Sequence, residues 1–197
     1  MALPHIKNST AGVNKFDPVH KSMFEVTFTL PEAIRDEYAK DELILTEHVL
    51  SVDGLAALYM APSVEQQKFM GTDRSFIKPT VDSTKAELSV KLSLNLRNGS
   101  DNYILNLFRA WAALGYNVAT GKRHLKKDYC AEWLKIDIAN REGDIYQQIV
   151  FKDVMMSGPV EMDGALDYTD GGAIEITVKF VSDWWKETTV GYDPEKY

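Results

Sequence analysis

Sequence features that mark a secreted, membrane or metal-binding protein are scarce in this chain. Its 197 residues contain one cysteine, Cys130, which excludes an internal disulfide and a cysteine-based metal cage. No apolar run approaches the roughly 20 residues that cross a bilayer. Residues 1–21 contain no apolar core of a signal peptide. We therefore expect synthesis in a reducing cytoplasm and no membrane partner.

Patterns of catalytic and metal sites are also sparse. None of the histidines is at metal-ligand spacing, and no HExxH motif occurs. They are His5, His20, His48 and His124. Thr120-Gly121-Lys122 is similar to the end of a phosphate-binding loop, but the upstream glycine and the strand-loop-helix context are missing. We predict no enzyme activity, no cofactor and no metal, although a triad assembled in space around Cys130 stays open.

The net charge is −7, which argues against tight DNA binding because such binding needs a basic surface. It does not argue against a passage that DNA crosses without sticking. The segment Gly121–Lys127 is basic. It fits either contact with phosphates or an acidic neighbour, or an ordinary solvated loop.

The N-terminal part predicts a polar arm followed by strands. Residues 1–21 are polar and indicate an arm. Phe24–Leu30 alternates strictly between apolar and polar residues, which is typical of a half-buried strand. Glu32–Lys40 is charged and indicates a loop or one helical turn. Leu43–Val52 is apolar and branched, which predicts a second strand that includes His48.

The segment Leu55–Ser83 predicts a long loop with some extended structure. Loops of this length are uncommon unless they have a function, often contact between subunits. Its apolar residues exceed what a solvated loop needs, so we take them as candidate inter-subunit contacts. They are Leu58, Tyr59, Met60, Phe69, Met70, Phe76 and Ile77.

The clearest elements lie in the middle of the chain. In Lys85–Leu96 the leucines and Val90 alternate with polar residues, which predicts a strand with one buried face. Tyr103, Leu107 and Trp111 then recur at helical spacing, so we predict an amphipathic helix over about 101–114.

The C-terminal part predicts three more strands. Tyr129–Asn140 and Ile145–Val154 flank a Glu-Gly-Asp turn and indicate a hairpin. A last alternating strand ends at Trp184-Trp185, whose rings we expect to divide between core and surface. Residues 186–197 form a polar tail.

These elements together predict a mainly β fold. It is an antiparallel sandwich or barrel of about six or seven strands with one flanking amphipathic helix. The predicted domain spans residues 22–185.

Several short motifs follow one another in an unusual order. They are the Phe-x-Val-x-Phe strand at Phe24–Phe28, then Phe69–Phe76, Phe108–Trp111, Thr120–Lys122, Lys126–Tyr129, Gly158–Val160 and Val181–Trp185. This order resembles the tail-tube protein of contractile-tailed phages and the related tube proteins of contractile injection systems. The resemblance spans roughly Met23 to Trp185.

The resemblance implies a structural role in a virion tail that is assembled in the host bacterial cytoplasm. It implies hexameric rings, stacked into a tube, whose joined strands line a channel for DNA ejection. An acidic or neutral wall repels phosphates, so DNA would transit without specific binding. The implied partners are further copies of the chain and the tail sheath, baseplate and tail-terminator proteins.

Polar strand faces supply the candidate lumen residues. They are Glu87, Ser89, Lys91, Ser93, Lys135, Asp137 and Gln148. Other interpretations stay open: a ring protein of a type VI-like or other injection system, a baseplate tube initiator, a monomeric ligand-binding sandwich, or an enzyme.

Overall fold

The structure is a computed structural model that describes the chain in six ranges. These are residues 20–38, 42–55, 64–69, 72–77, 86–162 and 172–191. The strands in these ranges are β1 (Phe24–Phe28), β2 (Val49–Asp53), β3 (Val64–Phe69), β4 (Thr72–Ile77), β5 (Ala86–Ser93), β6 (Ala131–Ala139), β7 (Ile145–Met156), β8 (Glu161–Met162), β9 (Glu175–Ser182) and β10 (Trp184–Thr189). The helices are α1 (Glu32–Tyr38), α2 (Glu42–His48), α3 (Tyr103–Gly115) and α4 (Lys126–Tyr129).

An antiparallel sheet of eight strands folds into two layers. Layer 1 consists of β1, β6, β7 and β10, with β7 in contact with both β6 and β10. Layer 2 consists of β2, β5 and β9, with β8 and the end of β7 pairing along β9. The long strand β7 therefore belongs to both layers. Asp153, whose φ of 52° lies in the left-handed region, follows the last residue of β7 that pairs with β10 and precedes Met155–Met156, which pair with β9.

The core lies between the two layers and under α3. Phe28 of layer 1 and Phe180 of layer 2 are both buried, and their ring centroids are 6.0 Å apart. Trp111 of α3 lies 5.5 Å from the same Phe180 ring and donates a hydrogen bond from Nε1 to the Tyr129 carbonyl at 2.8 Å. The helix therefore closes one side of the core. The mainly β antiparallel fold and its flanking helix are both confirmed.

The helical content was underestimated from the sequence. Glu32–Tyr38 is a helix rather than a loop or single turn, and the Pro31 carbonyl before it accepts hydrogen bonds from two of its amides. The prediction of a strand throughout Leu43–Val52 was wrong, because residues up to His48 form α2 and only Val49 onward is extended. None of the helices in the described ranges is long and apolar enough to span a membrane.

Strand content was underestimated as well, since the described ranges contain ten strands. Part of the predicted loop Leu55–Ser83 is the hairpin of β3 and β4, which forms a separate two-stranded sheet. Residues 186–189 of the predicted tail belong to β10, which pairs with β7. The two tryptophans divide as expected: Trp185 packs against the core, and Trp184 is exposed.

Candidate assembly and channel surfaces

The outward face of layer 2 carries the first group of predicted lumen residues. Four side chains of β5 lie on it, because Leu88, Val90 and Leu92 occupy the alternate, buried positions. They are Glu87, Ser89, Lys91 and Ser93.

Carboxylates neutralise the lysines of this face. Lys91 forms an ion pair with Glu175 of β9. Lys179 of β9 pairs with Glu161 of β8 at 2.7 Å. The register places Asp53 and Glu87 on the same face, beyond these two pairs. The described part of this face therefore carries four carboxylates and two paired lysines, a net negative balance, and no aromatic side chain.

The second group of predicted lumen residues lies on the outward face of layer 1. Asp137 Oδ1 accepts a hydrogen bond from Gln148 Nε2 at 2.8 Å, and Asp137 Oδ2 pairs with Lys135 Nζ at 2.7 Å. These neighbours leave Asp137 only 4% exposed. Its carboxylate is thus a satisfied partner inside a polar row rather than a group facing open water.

The seven predicted lumen residues therefore do not form one surface. The core separates the two layers, so their outward faces point away from each other. A single channel can be lined by only one of these two faces. The alternation in the sequence identified the polar face of each strand correctly, but alternation contains no information about which layer a strand joins.

Sequence reasoning missed a row of three residues on layer 1. Lys152 of β7 is opposite Trp133 of β6 on one side and Trp184 of β10 on the other. The signal was present in the Trp-x-Lys-x-Asp pattern of β6, but Lys152 and Trp184 come next to Trp133 only through the sheet register.

The β3–β4 hairpin contains the described part of the candidate inter-subunit segment. Phe76 is 49% exposed, and Phe69 and Ile77 lie at the ends of their strands. Gln66, Lys68 and Ser75 are exposed as well. The other candidates, Leu58, Tyr59, Met60 and Met70, lie outside the described residues.

Strands β1 and β2 stand at the two ends of the sheet order and have no second neighbour among the described strands. A cleft of 660 Å³ opens between them. Apolar side chains of both layers line it, including Phe24 and Ile138 from layer 1 and Leu50 and Val52 from layer 2. An edge of this kind offers unpaired backbone groups to another strand.

The remaining candidates are a cysteine, a basic segment and the histidines, of which His5 lies outside the described residues. Cys130 is half-buried before β6, and burial raises the pKa of its thiol, which disfavours the reactive thiolate. The basic segment Gly121–Lys127 is exposed, and Lys126 forms an ion pair with Asp183. His48 ends α2 instead of lying within a strand. In the ranges that the structure describes, no three His, Cys, Asp or Glu side chains are grouped closely enough to hold a metal ion.

Comparison with known proteins gives a fold but no sequence family. No family model matches the chain, and no curated protein is similar to it in sequence.

Solved structures of similar fold come from contractile injection systems. The PVC sheath-tube complex in the extended state contains a chain with a TM-score of 0.56 and 11% identity, matched over 92% of this chain and 98% of that one. The PVC sheath/tube terminator has a TM-score of 0.54 at 9% identity, over 89% and 99%. The anti-feeding prophage tube-terminating cap has a TM-score of 0.54 at 10% identity, over 89% and 93%. At these identities the likeness establishes a shared fold.

Proposed function

We propose that the chain is a structural subunit of a phage-type contractile tail tube, which forms stacked hexameric rings around a channel for DNA. The observation that carries this proposal is the fold shared with a chain of a sheath-tube complex over nearly the full length of both chains. The proposed partners are further copies of the chain and the sheath, baseplate and terminator proteins. The proposed location is the virion tail, after assembly in the host cytoplasm.

The open edges of the sheet support ring formation. β1 and β2 each offer one unpaired strand edge, and the apolar cleft between them lacks a cover in the described residues. Natural proteins rarely leave such edges exposed, because they promote uncontrolled pairing. Pairing with neighbouring subunits in a closed ring satisfies these edges and makes each sheet part of a larger barrel.

The outward face of layer 2 is the better candidate for the channel wall. Its described lysines are paired with carboxylates and its charge balance is negative, so a phosphate backbone finds no unpaired ammonium group in the part of this face that the structure describes. Layer 1 instead exposes Trp184 and Lys186. Of the seven candidate lumen residues predicted from the sequence, we therefore propose only four as channel-lining: Glu87, Ser89, Lys91 and Ser93.

Electron microscopy of the purified protein tests the proposal directly. Concentrated protein is expected to form annuli or rods with a central channel. A second sample should contain a baseplate complex, since tube growth can require such a complex as a nucleus. A protein that stays monomeric at every concentration and salt, even with the nucleus present, would contradict the proposal.

A charge reversal in the wall tests the choice of layer. In the Glu87→Lys variant each subunit adds a lysine to the proposed wall, so DNA should be held by phosphate contacts and leave more slowly. Tubes should still assemble, because exposed strand positions tolerate such changes within about 0.5 kcal/mol. The measurement is the rate of DNA ejection from purified particles at low and high salt, and raised salt should restore the rate.

Glu25→Lys is the matched control, because Glu25 is exposed on the outward face of layer 1 and undergoes the same charge change. It should leave ejection unchanged. If Glu25→Lys slows ejection and Glu87→Lys does not, layer 1 lines the channel.

A second candidate function is the tube of an extracellular injection system that delivers proteins. The observation in its favour is that the similar structures come from such systems. Nuclease-protected DNA inside purified particles would favour the phage tail, and protein cargo in DNA-free particles would favour the injection system.

A further inference from the structure

Lys152 lies between two tryptophans on the outward face of layer 1. The antiparallel register pairs it directly with Trp133 of β6 and with Trp184 of β10. Directly paired residues on one face have Cβ atoms about 5 Å apart, so the Cβ atoms of the two tryptophans are roughly 10 Å apart, with Lys152 between them. Trp184 is 50% exposed. A row of this composition combines a large apolar contact area with a positive charge.

The next row of the same face adds further positive charge. There the register aligns Lys135, Val150 and Lys186 across three strands. Lys135 is neutralised by Asp137. Lys152 and Lys186 make no ion pair within the described residues. In a chain of net charge −7, this face therefore concentrates uncompensated positive charge beside an exposed indole.

We propose that this surface, the Trp–Lys face (Trp133, Lys152, Trp184 and Lys186), binds an acidic segment of the coat protein that surrounds the tube. Carboxylates of that segment pair with Lys152 and Lys186, and its apolar side chains cover Trp184. The inference rests on the proposed function. In a stacked ring, strand edges meet lateral neighbours and strand ends meet the next ring. If layer 2 lines the channel, the Trp–Lys face points outward toward the coat.

Charge complementarity favours an acidic protein segment over a nucleic acid. The Trp–Lys face is bounded on one side by Asp153 and on the other by Glu25, and both side chains are exposed. A phosphate polymer that crosses the face meets these carboxylates at both ends. A short acidic segment contacts the lysines between them, and tryptophan is among the residues that contribute most to tight protein contacts.

The test measures binding of the purified sheath protein from the same particle to preassembled bare tubes by cosedimentation. The Lys152→Glu/Lys186→Glu double variant should bind the sheath protein at least about thirtyfold more weakly than the wild type. Lys122→Glu/Arg123→Glu is the matched control, since it makes the same charge change in the exposed basic segment; it should bind like the wild type. Trp184→Ala should also weaken binding, and its loss should not depend on salt.

Three outcomes would overturn the inference. In the first, the sheath protein binds the double variant as tightly as the wild type. In the second, the folded double variant no longer forms tubes, which places the face between copies of this chain. In the third, a single-stranded oligonucleotide binds wild-type tubes and loses affinity for the double variant, while sheath binding is unchanged. Failure of the wild type itself to form tubes would instead contradict the proposed function.

Discussion

Removal of the β3–β4 hairpin is expected to leave a folded monomer that no longer forms tubes. The hairpin pairs with no strand of the eight-stranded sheet in the described ranges. Isolated two-stranded hairpins are at best marginally stable in water. We propose that its exposed Phe76 contacts another subunit. The buried core residues that the structure describes lie in the two layers, in the helices and at Leu30, which precedes α1.

The hairpin can be excised cleanly because Val64 and Ile77 are direct partners in its register. A Gly-Ser pair can join the chain across their short separation. The free energy of unfolding should change by no more than about 1 kcal/mol, because shortening a loop has a small effect on stability. Tube formation, followed by electron microscopy and sedimentation, should be lost. If the shortened chain forms normal tubes, the hairpin is not part of the assembly interface.

A point substitution refines the same test. Phe76→Ser should raise the concentration at which tubes form, with no change in stability. Leu125→Ser is the matched control, since Leu125 is 67% exposed and lies outside the hairpin, just before α4. Equal effects of both substitutions would indicate a general loss of surface hydrophobicity rather than a specific contact.

Sequence periodicity predicted the elements that pack on the core. β5 has buried residues at every second position, as its alternating leucines predicted. The stripe of α3 is buried at Leu107 and Trp111, again as the helical spacing predicted. In these segments a single face contacts apolar neighbours, so the buried positions appear in the sequence as a regular spacing of apolar residues.

The wrong predictions concern segments in which the apolar residues have no clear periodicity. α2 has seven residues, and an apolar run of this length has the same appearance in a helix and in a buried strand. The β3–β4 hairpin lies outside the sheet that encloses the core, so its strands alternate poorly. In β10, Trp185, Glu187 and Thr189 are half-buried, and a strand that contributes little to the core was mistaken for a tail.

The sequence predicted which side chains of each strand face outward, but it did not predict which strands share a surface. Glu87 and Lys135 were both identified as outward-facing, and both lie on outward faces. Whether two strands share a layer depends on long-range pairing, such as that of β5 with β9 and of β6 with β7. The same pairing brings Lys152 between two tryptophans. Register is thus the information that the sequence pattern lacked.

The close approach of β2 to β5 at Gly54 is the second feature with a large expected effect. Gly54 has a φ of +102°, a conformation that residues with a side chain rarely adopt. A Cβ atom there would overlap the carbonyl oxygen of Glu87 and lie 3.3 Å from the Cα of Leu88. Both neighbours are backbone of β5, so neither can rotate away. Any added side chain must therefore push the edge strand β2 away from layer 2.

Alanine substitutions at three glycines separate the effect of backbone strain from the effect of the overlap between the added Cβ and β5. Gly115→Ala, at the end of α3 with no atom near its Cβ position, should stabilise the protein by about 0.5 kcal/mol. Gly99→Ala has only the strain of its φ of +75° and should destabilise by about 1 kcal/mol. Gly54→Ala adds the overlap and should destabilise by about 3 kcal/mol or more.

Urea denaturation of the three variants measures these differences. Because β2 is an open edge of layer 2, Gly54→Ala should also impair tube formation more than Gly99→Ala when each is compared at a temperature where it is fully folded. If Gly54→Ala destabilises no more than Gly99→Ala, β2 is free to shift at this point. Its edge would then lack the rigidity that pairing with a neighbouring subunit in a closed ring requires.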